Sequence, residues 1–240
     1  MPAFLVQCLH IIMKKILTIL LLLMAIESMA TAEDDYAIPV KQGDTSTSIV
    51  ESYLTGPPAW EQVKDYNHLL KPGNMVKVPS HLVNLKGKAV ITLVYGEVKV
   101  KLVGEEIWVD AIPGLIIQEG DLLETGLDSG VEITMGEGDR AILRGDTSIV
   151  FNPPDNKTPS RTTLLNVIRG KVLSFIEKTP NRDLRYRIQT PTAVSLVRGT
   201  MFRTKVGDNA ETIFEVLEGS VNVRAGEEEL NLDGDFGIKI

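Results

Sequence analysis

From Lys88 to Ile240 the hydrophobic pattern is one of alternation and short apolar runs, as in Ala89-Val-Ile-Thr-Leu-Val-Tyr95, Val131-x-Ile133-x-Met135 and Phe214-x-Val216, and no segment offers a convincing helical face. Runs of four to eight residues broken by Gly, Asp, Asn and Pro are strands joined by tight turns, because a strand shows alternate side chains to opposite faces while a turn needs residues that tolerate bent backbone. Their regular spacing predicts a sandwich or roll. Three cassettes, Gly96-Glu-Val-Lys-Val, Gly170-Lys-Val-Leu and Gly219-Ser-Val-Asn-Val, put a glycine ahead of a strand whose valines point to one side. Each glycine is expected to supply a turn or bulge conformation. Their unequal separations exclude a strict solenoid period, so they read as equivalent hairpin strands of one β architecture. Pro153-Pro154-Asp-Asn-Lys-Thr-Pro159-Ser160 is the most loop-like stretch and reads as a hairpin connection projecting into solvent.

Ahead of this body the period is different. Between Tyr36 and Pro79 the residues predict a short strand, two helices and a return strand. Asp44 and Thr45 can cap the first helix by accepting hydrogen bonds from its free N–H groups, and Ile49 and Tyr53 fall one turn apart on a buried face. Pro57 and Pro58 punctuate the loop, and Trp60, Val63 and Tyr66 repeat on one face of the second helix, which Asn67 ends. Met75, Val76 and Val78 supply the closing strand. The chain therefore divides into a leader over 1–32, a βααβ head over 33–80, a linker over 81–87 and an all-β body over 88–240.

The leader carries Lys14 and Lys15, the apolar run Ile16 to Ile26 and a small-residue stop at Ala30-Thr31-Ala32, the layout of a secretory signal peptide with an A-x-A cleavage site. Residues 1–12 fit no part of that pattern, which makes Met13 an alternative start. The run is short for a membrane span of about 20 residues, and no polar-free stretch of that length follows. Cys8, the single cysteine, lies in the leader, so the exported chain is expected to form no disulfide. The formal charge of -7 becomes more negative by one without Lys14, Lys15 and Glu27. Such a chain is a poor match to nucleic acid, whose phosphates favour a basic face.

Catalytic patterns are thin. Beyond the leader the only histidines are His68 and His81, in or just after the head, which argues against an acyl-transfer triad in the body. Glu97, Glu105, Glu106, Glu124, Glu132 and Glu137 occupy turns or alternate strand positions, a solvated-face pattern rather than a carboxylate pair around a sugar. Asn231-x-Asp233-x-Asp235 matches the first half of a calcium loop but has Phe236 where glycine is expected, and a tight hairpin turn at Asp233-Gly234 explains it more simply. No metal or cofactor is expected.

The ordered landmarks Gly96-Glu-Val, Gly120-Asp121-Leu-Leu-Glu-Thr125-Gly126, Gly130-Val-Glu-Ile, Gly170-Lys-Val, Thr190-Pro191, Arg198-Gly199-Thr200 and Glu218-Gly219-Ser-Val resemble the FecR domain, a β-rich module of bacterial envelope proteins. The resemblance runs from about Gly87 to Ile240; Trp108 sits where FecR domains often carry an aromatic before the Gly120-Asp121 turn, and it is expected to be a packed core tryptophan. Arg198, Arg203 and Lys205, reinforced by Arg182, Arg185 and Arg187, form the main basic patch. They are candidates for partner binding, the alternative being internal pairing with Glu215 or Glu218. The head is similar to a LysM module in Tyr36, Val40, Gly43-Asp44-Thr45, Ile49, Tyr53, Trp60, Val63, Asn67, Pro72-Gly73 and Val78-Pro79. That resemblance implies a shallow groove for N-acetylglucosamine-containing glycans such as peptidoglycan, formed by Gly43, Asp44, Thr45 and Ser46 on one side and Asn67, His68, Leu69 and Leu70 on the other. A spacer without sugar binding is the alternative.

Taken together these readings describe a non-enzymatic protein of the periplasm or cell envelope. Its head attaches to peptidoglycan, and its β body presents a protein- or glycan-binding surface. Classical FecR regulators join this domain to a cytoplasmic anti-sigma segment and a membrane helix, patterns not found in this sequence. One alternative is therefore a periplasmic co-regulator acting through a separate membrane partner; another is a wall-modifying enzyme.

Overall fold

The computed structural model describes residues 35–63, 70–136, 138–152, 162–178, 185–197 and 199–240. The leader, Tyr66, Asn67, His68, Leu69, Glu137, the stretch from Pro153 to Ser160, Arg182 and Arg198 lie outside the described residues. Asp35 to Ile240 forms one compact unit. Among the described residues no helix is long and apolar enough to cross a membrane.

The head is the βααβ motif that its spacing predicts: β1 (Asp35–Pro39), α1 (Ser46–Tyr53), α2 (Pro57–Val63) and β2 (Met75–Pro79). β1 and β2 pair antiparallel, with Ile38 opposite Val76. Thr45 is the N-cap of α1. Its hydroxyl accepts from Ser48 N–H at 3.2 Å while Ser48 Oγ accepts from Thr45 N–H at 3.0 Å, so two donors that the helix leaves unpaired satisfy each other's residues. Replacing Thr45 with alanine is expected to cost about 1 kcal/mol in urea denaturation, with Thr45→Ser close to neutral. Ile49 and Tyr53 are buried with Ile38, Val63, Val76 and Val78, and Leu82 and Val83, in and after a 3-10 turn over Ser80–Leu82, belong to the same core.

The body contains β3 (Ala89–Tyr95), β4 (Val98–Lys101), β5 (Trp108–Asp110), β6 (Ile116–Ile117), β7 (Leu122–Thr125), β8 (Gly130–Met135), β9 (Asp139–Leu143) and β10 (Thr147–Asn152). After these come β11 (Thr162–Phe175), β12 (Arg185–Gln189), β13 (Val194–Val197), β14 (Met201–Val206), β15 (Thr212–Glu218), β16 (Ser220–Ala225), β17 (Glu228–Asp233) and β18 (Gly237–Lys239). They make two sheets that share β11. Sheet I has the order β5-β4-β7-β10-β11-β12-β13-β16-β17, and sheet II the order β6-β3-β8-β9-β11-β14-β15-β18. The first part of β11 pairs with β10 and, in parallel, with β12, while the part from Gly170 pairs with β9 and β14.

Alternation decides which side chains meet between the sheets. Val100, Leu123, Ile149, Leu165 and Ile188 of sheet I and Ile91, Ile133, Leu143, Phe202 and Phe214 of sheet II are fully buried in one cluster. Each such side chain contributes roughly 1.5–3 kcal/mol through removal from water. Tyr186 of β12 meets Phe202 of β14 edge-on, with ring centroids 6.1 Å apart, and its buried hydroxyl lies 3.2 Å from Ser174 Oγ.

The cassette glycines are not hairpin turns. Gly96, between β3 and β4, and Gly219, between β15 and β16, stand where the chain passes from sheet II to sheet I, and Gly170 stands where β11 passes from sheet I to sheet II. β3 pairs with β8 rather than β4, and β15 with β14 rather than β16, so consecutive strands lie in opposite layers. All three glycines have positive φ, as the bend requires. Two more expectations are corrected. Trp108 is 42% exposed, because alternation along β5 turns Val109 into the core and leaves Trp108 and Asp110 on the outer face of sheet I. Asp233-Gly234 carries the chain from β17 in sheet I to β18 in sheet II and is not a hairpin, since those strands do not pair.

The head packs directly on the body. Ala37 N–H of β1 donates to the Gly114 carbonyl at 2.8 Å, and Ala37 and Leu115 form a parallel bridge. Ile116 of β6 lies in the head's core, and Ala37 in the body's.

Candidate functional site

The head's groove loop follows β1. Gly43 and Thr45 are exposed, Asp44, Ser46 and Leu70 half-buried, and nothing lies within 4 Å of the position a Cβ on Gly43 would take. Of the groove residues expected on the far side, only Leu70 is among the described ones, and it packs against the head's core. The polar side chains of the near wall already serve the loop itself. Asp44 accepts from Lys41 N–H at 2.8 Å and from Ser48 Oγ at 3.1 Å, and Thr45 is occupied as the helix cap.

The same loop is tied to the body. Lys41 Nζ donates to Gln118 Oε1 at 3.0 Å and lies 4.0 Å from Asp121 Oδ1, and Gln42 N–H donates to Glu105 Oε1 at 3.0 Å. Asp121 is fully buried. Its two carboxylate oxygens accept from Val103 N–H and Gln118 N–H, both at 2.8 Å. Burial pushes its carboxyl above the usual range, against the pull of those two donors and of Lys41. Burial also pushes the Tyr53 phenol up, and the nearby Asp121 and Asp44 carboxylates push the same way. Sequence reasoning noted Gly120-Asp121 as a landmark but had no local signal for its link to Lys41.

The expected basic patch is partly assembled. Arg203 and Lys205 of β14 are exposed on the outer face of sheet II, and Arg203 pairs with Glu215 across the strands at 2.6 Å, the internal pairing the sequence allowed. Arg185 and Arg187 belong to β12 in sheet I, so the structure separates them from that face.

Carboxylates in the body are dispersed. Glu97 pairs with Lys99 at 2.9 Å and Glu106 with Lys101 at 2.8 Å, Glu124 accepts from Ser148 Oγ at 3.1 Å, and Glu132 accepts from Thr92 Oγ1 at 3.0 Å. Among the described residues no group of three or more His, Cys, Asp or Glu side chains could hold a metal ion, and the Asn231 side chain accepts from Asn222 Nδ2 at 2.8 Å.

A family model described as FecR protein matches residues 121–222, from the buried Asp121 through both sheets and the shared β11 into β16. The chain carries a FecR domain. No curated protein matches the chain. Two crystal structures of a protein assigned as an anti-sigma factor from Parabacteroides distasonis are similar to it at 17% and 18% identity, each covering 50% of this chain and 54% of that one with a TM-score of 0.43. The chain thus spans about half the length of those structures.

Within the FecR domain, the segment from Arg187 to Val206 is built as two braced bends. Thr190 Oγ1 accepts from Ala193 N–H at 3.0 Å and from Thr212 Oγ1 at 3.0 Å, which closes the Thr190-Pro191-Thr192 turn over β15. Thr200 Oγ1 donates to the Ser220 carbonyl at 2.8 Å, and Gly199 marks the passage from β13 in sheet I to β14 in sheet II. The threonines and glycine of the motif thus fix corners of the sandwich.

Proposed function

We propose that this protein is a non-enzymatic binding component of the bacterial envelope, a co-regulator whose FecR domain engages a separate membrane partner. The observation that carries this reading is the FecR match itself, which covers the strands joining the two sheets and thus the rigid centre of the body. A stiff two-layer body suits recognition by a preformed surface, which loses little entropy on binding. The direct test is photo-cross-linking in intact cells from probes on the outer faces of both sheets. An adduct with an integral membrane protein is the expected product; adducts confined to wall glycan or to no partner would reject the co-regulator reading.

A second reading concerns the head. Its βααβ form, with the loop at Gly43, Asp44, Thr45 and Ser46 open at Gly43 and Thr45, favours attachment to N-acetylglucosamine-containing glycan. The chain from Glu33 is expected to co-sediment with purified peptidoglycan. Chitin oligomers in excess and the double exchange Thr45→Arg, Leu70→Arg should each move most of it to the supernatant. One small groove gives weak attachment, so a partner held by the body would raise retention by making the second contact intramolecular. Pelleting unaffected by oligomer and exchange alike would make the head a spacer.

A further inference from the structure

Register on the outer face of sheet II assembles a line of cations from four distant parts of the sequence. Lys171 of β11 stands directly opposite Lys205 of β14, Lys205 opposite Ile213 of β15, and Ile213 opposite Lys239 of β18. On the other side Arg144 N–H donates to the Lys171 carbonyl at 3.0 Å, which extends the row by one strand. Arg144, Lys171, Lys205 and Lys239 are all exposed. With strands about 4.8 Å apart, Arg144 to Lys239 spans roughly 19 Å.

Lys239 pairs with Glu211 at 2.7 Å, but among the described residues Arg144, Lys171 and Lys205 have no ion-pair partner. Like charges directly opposite on a sheet oppose folding. Of the three, Lys205 feels the Glu211 carboxylate, but Lys171 stands between Arg144 and Lys205 and meets like charge on both sides, a local repulsion that works against the fold even in a chain of net charge -7.

The row does not stand alone. Beyond Arg144 it continues through Gly130, which has no side chain, to Tyr95, 69% exposed. Two residues along the strands runs Leu93, 60% exposed, then Glu132, Ile142 and Leu173, with Ile142 and Leu173 half-buried. Cations beside exposed tyrosine and leucine suit a protein surface that combines carboxylates with apolar side chains better than a uniformly charged polymer.

The geometry points to the outer face of sheet II as the docking surface for an acidic polypeptide, with Arg144, Lys171 and Lys205 facing its carboxylates and Leu93 and Tyr95 its apolar residues. This rests on the reading of the body as partner-binding and adds the face and the chemistry of the partner.

The test uses the chain from Glu33 and a fluorescent synthetic peptide of 20 residues, glutamates interspersed with leucines, followed by anisotropy in low and high salt, with inorganic polyphosphate as the competing anion. The peptide is expected to bind and to weaken about tenfold as salt rises, since exposed charges are screened. Lys171→Glu should weaken binding by a similar factor and at the same time raise the melting temperature by about 1–3 °C, because it converts two repulsive neighbours into attractive ones. Leu93→Ser with Tyr95→Ser should weaken the peptide several-fold and leave polyphosphate unchanged. Lys77→Glu, on the head's β2, is the control and should change neither.

Absence of peptide binding overturns the proposal, as does binding indifferent to Lys171→Glu. Loss of polyphosphate and peptide alike, with no effect of the Leu93 and Tyr95 exchanges, would reassign the face to a simple polyanion and overturn the polypeptide. A membrane adduct in cells that survives Lys171→Glu would overturn this face while leaving the co-regulator reading intact.

Discussion

Gly170→Val is expected to unfold the body. Gly170 has φ +100° at the point where β11 leaves sheet I for sheet II, and a Cβ there would press into Thr147 and lie 2.6 Å from the Asp146 carbonyl oxygen. The obstruction is mostly backbone, and Thr147 cannot yield. Its N–H donates to Thr125 Oγ1 at 3.0 Å, and its Oγ1 accepts from Lys171 N–H at 3.0 Å. Strain at the left-handed φ adds to the overpacking, and together they should cost at least about 4 kcal/mol, a large share of the roughly 5–15 kcal/mol that stabilises a typical domain. Gly145→Ala should be comparably severe for a different reason, since its Cβ would overlap the Leu127 carbonyl. Urea denaturation followed by circular dichroism reads both exchanges; a midpoint within experimental scatter of the wild type for either would show that the corner is not the constraint described.

Asp121→Ala should be the next most damaging exchange. It leaves the N–H groups of Val103 and Gln118 without their acceptor and takes from Lys41 its neighbouring carboxylate, in a fully buried place. A loss of about 3–5 kcal/mol follows from stranding those groups. Hydrogen exchange at the Ala37 amide, which bonds to Gly114, should quicken as the head loosens from the body.

The pH dependence has a definite sign. Burial holds the Asp121 carboxyl above its ordinary 3.8, so the folded chain keeps this proton to a higher pH than the unfolded one. The stability this proton supplies is fully present below 3.8 and is lost as the pH rises through the raised folded value. Asp121→Asn removes the titration. The wild type should therefore lose ground against Asp121→Asn as the pH rises across that window and hold a constant difference above it. A difference that stays flat throughout would mean that the two backbone donors and Lys41 cancel the effect of burial, and a wild type that gains ground would mean that they outweigh it.

Much of the fold was legible because its local periods are strong. Ile49 and Tyr53 one turn apart, and Val131, Ile133 and Met135 in alternation, are buried as their spacing implies. What the sequence did not disclose depends on pairing. A glycine before a strand reads the same whether the next strand pairs with the last or crosses to the other layer, so Gly96 and Gly219 passed for hairpin turns. Trp108 reads as core because alternation alone does not say whether it or Val109 takes the inner face, and in β5 the inner one is Val109. The docking of the head runs through main-chain atoms at Ala37 and Gly114 and through Lys41 and Gln118, 77 positions apart, for which no local pattern exists. The cation row was half visible: Lys205 stood out in its basic segment, but Lys171 and Arg144 join it only through strand register.

The sharing of β11 by both sheets also governs the order of events when the chain folds. Neither layer can be completed until residues 162–175 are available, because β10 and β12 in one layer and β9 and β14 in the other all bond to that strand. The contacts that close the sandwich are consequently of long sequence separation, which makes folding slow, on the order of milliseconds to seconds for such topologies. Strands made early, such as β3 and β4, must wait with their edges unsatisfied, and until β11 arrives those open edges are the part of the chain most exposed to pairing with another copy.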